Sequence, residues 1–306
     1  MTALPPRIAL GCGNFGGIGS APELFGQGES EQDAFRLMDD AWSNGLRWFD
    51  TADADGGGRS EQAIARWIAA TGNRPQITTK TFNPIHAGAD HGLAPERIQR
   101  QLRTSLGRLG VDRIDLYLAH EFDPNTPLAD TMAAFRDARE EGLVGACGVS
   151  NFSAEQLEEA LEHGEPRLIQ NEYSLLARDD ERDVLPLSAE SRVAYEAFSP
   201  LAGGWLTGKY RRGEEPAPGS RMTLRPRPYL HLHEERVYRG LDRLAAEAEN
   251  RAVSPAALAL AWALSHPHVT GVVVGPRRPD HLQPALAALD LELSQDERAE
   301  LASFFD

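Results

Sequence analysis

Three strand-like segments of this sequence each run into a residue that can carry a proton or a charge. Residues 46–49 lead to Asp50, residues 76–79 lead to Lys80, and residues 114–119 lead to His120. A further carboxyl group, that of Asp55, stands five residues past Asp50. Carboxyl, ammonium and imidazole groups are frequent carriers of general acid–base catalysis, and together they would suit work on a carbonyl. These four are therefore our candidate catalytic residues.

The composition makes Lys80 informative. The chain has two lysines, Lys80 and Lys209, among 31 basic residues, so arginine fills most positions where either would serve. Arginine stays protonated in proteins, whereas a buried lysine has a tunable pKa and a compact charge. The presence of a lysine at this strand end therefore indicates a chemical role for Lys80. The alternative is that a lysine occurs there by chance.

The overall composition predicts a soluble globular protein and argues against some classes of partner. Hydrophobic residues make up 41% of the chain, and the formal charge of −15 argues against nucleic-acid and anionic-membrane partners. No apolar run approaches the roughly 20 residues that span a bilayer, and the N-terminus lacks a signal-peptide pattern. Two cysteines fit a reducing, cytoplasmic location. The sequence does not indicate an oligomeric state.

Short β-rich runs alternate with longer amphipathic segments along the whole chain. The predicted strands are residues 8–11, 47–50, 76–80, 114–119, 146–150, 168–170, 193–198 and 271–274. Helical patterns with a period of about 3.6 residues cover 31–43, 60–70, 95–109, 128–141 and 153–163. Eight strands with intervening helices predict a (β/α)8 TIM barrel, as a single domain over residues 1–306 with a final helix over 294–304.

Two loops have distinctive sequences. The stretch from 201 to about 232 follows the seventh strand and has the length of a lid or binding loop, the alternative being a disordered surface excursion. Residues 11–16 form a GxGxxG pattern, which in a Rossmann fold would lead at once into a helix. Helical periodicity begins only near Glu31, so we expect instead a loop whose backbone, at Asn14 and Phe15, approaches a bound ligand.

In a (β/α)8 barrel the active site lies at the carboxyl ends of the strands. Reading those ends in order adds further residues to the candidate site: Ser150, Asn151, Gln170, Ser199, Gly275 and Arg277. All of them fall on one face of the predicted barrel, whereas chance would scatter polar residues over both ends. His231 and His233 lack a third ligand at a suitable spacing, so we expect no metal site.

Ordered segments along the chain are similar to those of aldo-keto reductases. They are LGCGNFGG, FDTADA, ITTK, DLYLAH, GVSNFS, IQNEYSLL, FSPLAGGWLTGKY and VVVGPRRPDHL. Because they occur in order from end to end, the chain resembles a member of that family. The resemblance implies a (β/α)8 barrel that binds NADP(H) in an extended pose and moves hydride to or from a carbonyl carbon.

The resemblance also implies a role for each candidate residue. Asp50 would pair with Lys80, which would lower the pKa of a neighbouring tyrosine that protonates the carbonyl oxygen, while His120 would orient that carbonyl. The implied cofactor contacts are Ser150, Asn151 and Gln170 on the carboxamide, Phe198 on the nicotinamide ring, Ser199, Leu201 and Gly203 on the pyrophosphate, Arg277 on the 2′-phosphate and His281 near the adenine, together with Gly275, Asn14 and Phe15.

Asp55 stands where the resemblance places the catalytic tyrosine. An aspartate has an ordinary pKa of about 3.9 and a nearby ammonium lowers it, so we expect Asp55 to be ionised at neutral pH with no proton to give. Its side chain is also shorter than that of tyrosine by several Å. We expect carbonyl reduction to be weak, because loss of a general acid costs about 10²–10⁴-fold in rate.

Three explanations of Asp55 stay open from the sequence. In the first, Asp55 is an engineered substitution in an ordinary reductase. In the second, it is natural and the proton is supplied through His120 or water. In the third, the barrel catalyses a different class of reaction with Asp55 as a base. The corresponding functions are an NADP(H)-dependent oxidoreductase with weakened or altered activity, a lyase or isomerase that uses Asp55 and His120, and a non-catalytic protein that senses the redox state of a bound nicotinamide.

Overall fold

A closed barrel of eight parallel strands forms the centre of the molecule. The computed structural model describes residues 4–306, in which each strand pairs with the next in sequence and the last with the first. The strands are β1 Ile8–Gly11, β2 Trp48–Asp50, β3 Gln76–Thr81, β4 Ile114–Ala119, β5 Val144–Ser150, β6 Leu168–Glu172, β7 Ala194–Phe198 and β8 Val269–Val274. The predicted (β/α)8 fold is confirmed, and every predicted strand overlaps an observed one.

Helices surround the barrel. They are α1 Glu31–Ser43, α2 Arg59–Thr71, α3 Pro95–Leu109, α4 Leu128–Glu140, α5 Ala154–His163, α6 Val184–Glu190, α7 Arg221–Leu224, α8 Glu235–Asn250, α9 Pro255–Leu264, α10 Gln283–Ala288 and α11 Gln295–Ser303. Local signals set their ends: Ser153 and Gln156 form a capping box at the start of α5, and Gly110 ends α3 in the left-handed region. None of the helices in residues 4–306 is long and apolar enough to cross a membrane.

An apolar layer fills the lower part of the barrel. It consists of Ala9, Trp48, Leu116, Leu118, Ala146, Leu168, Ala194 and Val273. Side chains alternate along a strand, so residues two positions further on, such as Asp50 after Trp48 and Gln170 after Leu168, face the same interior nearer the carboxyl ends. The fold thus stacks a polar layer directly on the apolar one.

The two distinctive loops have clear structures. Between β7 and α8, short 3-10 turns at Ala202–Thr207 and Arg227–Leu232 flank α7, and Trp205 is fully buried, so this segment is a folded part of the molecule. After β1 the next α-helix begins only at Glu31. The glycine pattern is therefore not the start of a Rossmann unit. This agrees with the prediction made from the absence of helical periodicity before Glu31.

Candidate active site

An ion pair between Asp50 and Lys80 lies at the floor of the site. Lys80 Nζ donates to Asp50 Oδ1 at 2.6 Å and to the carbonyl oxygen of Thr51 at 3.0 Å. Asp50 is 6% exposed and Lys80 is 4% exposed. A buried ion pair gains little net stability because both groups lose water, so its position at converging strand ends points to chemistry.

Gln170 and Glu196 extend this pair across the barrel interior. Gln170 Nε2 donates to Asp50 Oδ2 at 2.9 Å and to Glu196 Oε2 at 2.7 Å. Glu196 is fully buried, and its Oε1 has no hydrogen-bond partner among the described residues. Burial, and then the charge of Asp50, raise the pKa of Glu196 to about 8. Glu196 is therefore an interior acid that keeps its proton at neutral pH.

Glu196 was not predicted from the sequence, although its strand carried a signal. β7 reads AYEAF, and period-two alternation puts Glu196 on the same interior face as Ala194 and Phe198. A glutamate is almost never fully buried unless it is paired. The strand register supplies the pairing, because it sets Glu196 beside Gln170.

Asp55 lies in a tight turn directly after β2. Three consecutive glycines, residues 56–58, take positive φ there. At Gly56 a Cβ atom would come within 2.7 Å of the Phe15 carbonyl oxygen, so the turn leaves no room for another residue type. Asp55 is held with 6% exposure, and Ser20 Oγ donates to its Oδ1 at 2.9 Å.

Burial reverses the charge that we expected for Asp55. Desolvation is the largest influence on the pKa of Asp55 and raises it to about 7, against Lys80 and the Ser20 hydrogen bond, which lower it. The prediction that Lys80 would keep this carboxyl fully ionised at neutral pH is therefore wrong. A carboxyl with a pKa raised towards neutral can both give and take a proton near the working pH.

His120 is an uncharged group at the end of β4. Burial, and then the charge of Lys80, lower the pKa of His120 to about 3. Its Nδ1 lies 3.4 Å from Asn83 Nδ2, so the amide can donate to Nδ1 while the ring proton stays on Nε2. Its backbone oxygen accepts from Asn151 Nδ2 at 2.8 Å. The Nε2–H group can donate to a carbonyl or hydroxyl oxygen without adding charge.

The residues expected at the nicotinamide lie at the ends of β5 and β7 and, for Gln170, within β6. Asn151 takes a left-handed backbone with φ 59°, and its Nδ2 also donates to Ser150 Oγ at 3.2 Å. The amide nitrogen of Gln170 is committed to the two interior carboxyls described above, which leaves its Oε1 to accept from a ligand. Phe198 is half-buried against the apolar layer.

The residues expected at the pyrophosphate form the first turn of the β7–α8 loop. Ser199 and Gly203 take positive φ of 52° and 62°, and the Leu201 carbonyl oxygen accepts from the Gly204 N–H at 2.8 Å. At Gly203 a Cβ atom would lie 2.4 Å from the Tyr229 ring. Backbone turns that include positive φ can form anion-binding concavities from successive N–H groups.

A basic cluster joins this loop to the loops after β1 and β8. The cluster consists of Lys209, Arg221, Arg225 and Arg277. Arg277 donates to the Gly219 carbonyl oxygen and to Glu29, and Arg221 Nη2 donates to Asn14 Oδ1 at 3.0 Å. Burial, then the charges of Arg221 and Arg277, lower the pKa of Lys209. The cluster is a local concentration of positive charge in a chain of net charge −15, and the buried Glu29 pairs with one of its members, Arg277.

Of the remaining predicted cofactor residues, three are at least partly exposed and one is buried in the core. Gly275 is exposed at the end of β8, and the exposed His281 faces the Arg277 backbone N–H through its Nδ1 at 3.4 Å. Asn14 is half-buried beside the basic cluster. Phe15, by contrast, is 1% exposed and packs in the core, so in this conformation it offers no side-chain surface to a cofactor.

Nearly the whole chain matches one known family. Residues 7–306 fit the model of the Aldo/keto reductase family. The chain belongs to the aldo/keto reductase family. It is 33% identical over 290 residues to the protein described as uncharacterized oxidoreductase YrpG of Bacillus subtilis (strain 168), with 89% of this chain and 86% of that protein covered.

Other members of the family that resemble this chain have different descriptions. A probable voltage-gated potassium channel subunit beta of Arabidopsis thaliana is 31% identical over 279 residues, covering 87% of this chain and 85% of that one. The solved structure of the glycerol dehydrogenase AKR11B4 from Gluconobacter oxydans superposes with a TM-score of 0.85 at 26% identity, covering 99% of this chain and 92% of that one.

This family member is therefore an oxidoreductase of the aldo-keto reductase type. The family uses nicotinamide cofactors and acts on small carbonyl compounds. Within residues 4–306, no group of three or more His, Cys, Asp or Glu side chains is arranged to hold a metal ion.

Proposed function

We propose that this protein is an NADP(H)-dependent oxidoreductase that transfers hydride between the nicotinamide and a small carbonyl or alcohol, with Asp55 as the proton carrier. The observation that carries the proposal is the convergence of the Lys80–Asp50 pair, the uncharged His120 and the buried Asp55 at neighbouring strand ends. A proton donor with a pKa near the working pH suits carbonyl reduction.

The site fits NADP(H) at both ends of the cofactor. The free Oε1 of Gln170 would accept from the carboxamide, with Ser150 and Asn151 beside it and Phe198 against the ring. Ser199, Leu201 and Gly203 would meet the pyrophosphate, Gly275 and Asn14 would border the nucleotide, and His281 would approach the adenine. Arg277 would grip the 2′-phosphate, which favours NADP(H) over NAD(H). Bound there, the nicotinamide would supply or accept the hydride.

Each catalytic side chain has one task in the proposed reaction. The Nε2–H group of His120 donates to the carbonyl oxygen and fixes its position. Asp55 gives its proton as negative charge develops on that oxygen, and it takes a proton when an alcohol is oxidised. Lys80, held by Asp50, offsets the negative charge that Asp55 then carries.

The short side chain of Asp55 limits the substrates that the proposal favours. A carboxyl does not reach as far as a tyrosine hydroxyl, so the proton needs a bridge to the carbonyl oxygen. A water molecule or a substrate hydroxyl within hydrogen-bond distance of both groups would provide that bridge. Hydroxylated aldehydes and ketones, and sugar-like alcohols, are therefore the substrate class we favour.

Substitutions of Asp55 test the proposal. We would measure NADPH binding by quenching of tryptophan fluorescence, and then NADPH-linked turnover on a panel of aldehydes, ketones and sugars. We expect the unaltered protein, Asp55→Asn and Asp55→Tyr all to bind NADPH, and Asp55→Asn to lose about 10²–10⁴-fold in kcat. Asp55→Tyr should raise the reduction of carbonyls that lack a neighbouring hydroxyl. NADPH binding with no turnover in either the unaltered protein or Asp55→Tyr would contradict the proposed reaction.

A cofactor-independent acid–base reaction is the second candidate function. It is favoured by the near-neutral pKa of Asp55, which burial raises to about 7, beside an uncharged His120. A lyase or isomerase would use Asp55 as the base and His120 as a hydrogen-bond donor. Conversion of a hydroxylated carbonyl without NADP(H), lost in Asp55→Asn, would favour it. Tight NADPH binding without any turnover would instead favour a cofactor-sensing role.

We also propose that the protein acts in the cytoplasm as one domain over residues 1–306. Cys12 and Cys147 are both buried and free thiols, which suits a reducing compartment. Cell fractionation would test the location, and limited proteolysis that released a stable fragment would contradict the single domain.

A further inference from the structure

We propose that Glu196 is a proton-linked positioning residue of the nicotinamide site: it fixes the amide of Gln170 and releases its own proton when the bound nicotinamide ring is positively charged. The inference deepens the proposed function and rests on it, since it concerns the same cofactor site. Glu196 is not assigned to contact the substrate or the cofactor, and it acts through Gln170.

The geometry links Glu196 to the cofactor site by one side chain. Gln170 Nε2 is shared between Asp50 Oδ2 at 2.9 Å and Glu196 Oε2 at 2.7 Å, so the amide nitrogen points into the barrel and its Oε1 is left for a ligand. The strand register sets Gln170 opposite Glu196. Removal of the Glu196 carboxyl would take away one of the two acceptors that orient this amide.

The charges around Glu196 explain why it holds a proton. Asp50 faces it from β2, Lys80 faces it from β3, and Asp55 belongs to the same cluster from the turn after β2. On its other side, β8 presents Gly271 at the paired position, which has no side chain. One ammonium thus lies among three buried carboxyls. Ionised Glu196 would also leave a charged oxygen, Oε1, without a hydrogen-bond partner, which makes its ionisation costly.

The oxidation state of the nicotinamide changes this charge balance. The ring of NADP⁺ carries a positive charge and that of NADPH does not, so only NADP⁺ would favour ionised Glu196. Binding of NADP⁺ below about pH 8, where burial has raised the pKa of Glu196, should release a proton to solvent. The affinity for NADP⁺ relative to NADPH should therefore rise with pH. The 2′-phosphate is common to both forms, so its own titration cancels in the ratio of affinities.

The ratio of the two dissociation constants tests the inference. We would titrate tryptophan fluorescence with NADP⁺ and with NADPH between pH 6 and pH 9. The proteins would be the unaltered one, Glu196→Gln, Asp55→Asn and the double variant Asp55→Asn/Glu196→Gln. We expect the ratio to move about tenfold towards NADP⁺ across this range, which corresponds to coupling of one pKa unit. Asp55 also titrates in this range, so in Glu196→Gln the change should shrink to the part that Asp55 contributes. It should persist in Asp55→Asn and vanish in the double variant, where the glutamine at position 196 keeps an acceptor for Gln170.

Several outcomes would overturn the inference. A ratio that does not change with pH in Asp55→Asn would do so, as would an equal change in Asp55→Asn and in the double variant. If neither nucleotide bound, the proposed function would fail and this inference with it. Should Glu196→Gln not fold, calorimetry of Asp55→Asn in buffers of different ionisation enthalpy decides: proton release with NADP⁺ and not with NADPH supports the role, and equal release contradicts it.

Discussion

Asp55 and Lys80 belong to the same buried cluster, yet burial outweighs the lysine in setting the charge of Asp55. The same ammonium pairs with Asp50 at 2.6 Å, and the carboxylate of Asp50 opposes the ionisation of Asp55. The residue types indicated which charges would be neighbours. They did not indicate how completely the fold would bury Asp55 in the turn after β2, and this burial is the largest influence on its pKa.

The protonation of Asp55 predicts opposite pH profiles for the two directions of the reaction. Because burial raises the pKa of Asp55 to about 7, the form that donates a proton is lost as pH rises through 7, and the form that accepts one is gained. Steady-state kcat for carbonyl reduction should fall above pH 7, and kcat for alcohol oxidation should rise. Identical profiles in Asp55→Asn would show that another group sets the pH dependence.

The burial of Glu196 predicts a pH-dependent cost to stability. Its folded-state pKa, about 8, exceeds the ordinary value for glutamate of about 4.3, so the folded protein holds a proton that the unfolded chain releases between these values. The stabilising effect of this proton is complete below about pH 4 and is lost as pH rises through 8. Glu196→Gln should therefore raise Tm at pH 9 by roughly 5 °C, corresponding to a few kcal/mol, and change it little at pH 5.

Thermal unfolding followed by circular dichroism would check this prediction, with the exposed Glu190→Gln as the matched control. An equal rise in Tm at both pH values would mean that the glutamine packs better and that the proton is not involved.

At the scale of elements, the strands were predictable and the loops were not. A strand end is fixed by hydrophobic alternation, so the sequence alone was enough to set Asp50, Lys80 and His120 on one face of a barrel. The β7–α8 loop has no such period. Its fold depends on contacts far along the chain, such as Arg221 to Asn14, and the basic cluster that these contacts assemble had only Arg277 as a predicted member.

The basic cluster predicts that Arg221 contributes to cofactor binding. Arg221→Gln should weaken NADPH binding by about tenfold or more, because it removes a charge from the cluster and the hydrogen bond to the β1 loop. Arg211→Gln, on the exposed part of the same loop, is the matched control and should have little effect. Fluorescence titration gives both dissociation constants. An equal loss in the two variants would indicate general electrostatics and not a specific contact.

At the scale of the whole molecule, a strongly acidic chain brings basic side chains together in a local cluster, which we propose meets the anionic cofactor. The negative formal charge of −15 argues against nucleic acid as a partner. The net charge does not show where on the molecule the positive cluster lies. The fold could be predicted because the pattern of eight strands is spread over the entire chain. The pairing of Glu196 could not be predicted in this way. Its partner Gln170 lies on another strand, and the register that joins them is a property of the closed barrel.

Binding of NADPH should stabilise the whole molecule. At about 100 times its dissociation constant, a ligand that binds only the folded protein adds about 2.7 kcal/mol, which for a chain of this length raises Tm by about 4 °C. Arg277→Ala should lose most of the shift with NADPH, at a fixed concentration, and retain the smaller shift with NADH. Equal losses with the two nucleotides would contradict the assignment of Arg277 to the 2′-phosphate.

The most direct test of the central claim is the fate of the hydride. The protein would be incubated with NADPH that carries deuterium at both hydrogen positions of the nicotinamide C4 and with a panel of hydroxylated aldehydes and ketones. The products would be analysed by mass spectrometry. We predict one deuterium on the carbinol carbon of the product, at a rate that falls about 10²–10⁴-fold in Asp55→Asn. A product formed without deuterium, or formed equally well without NADPH, would contradict hydride transfer and favour acid–base chemistry by Asp55 and His120.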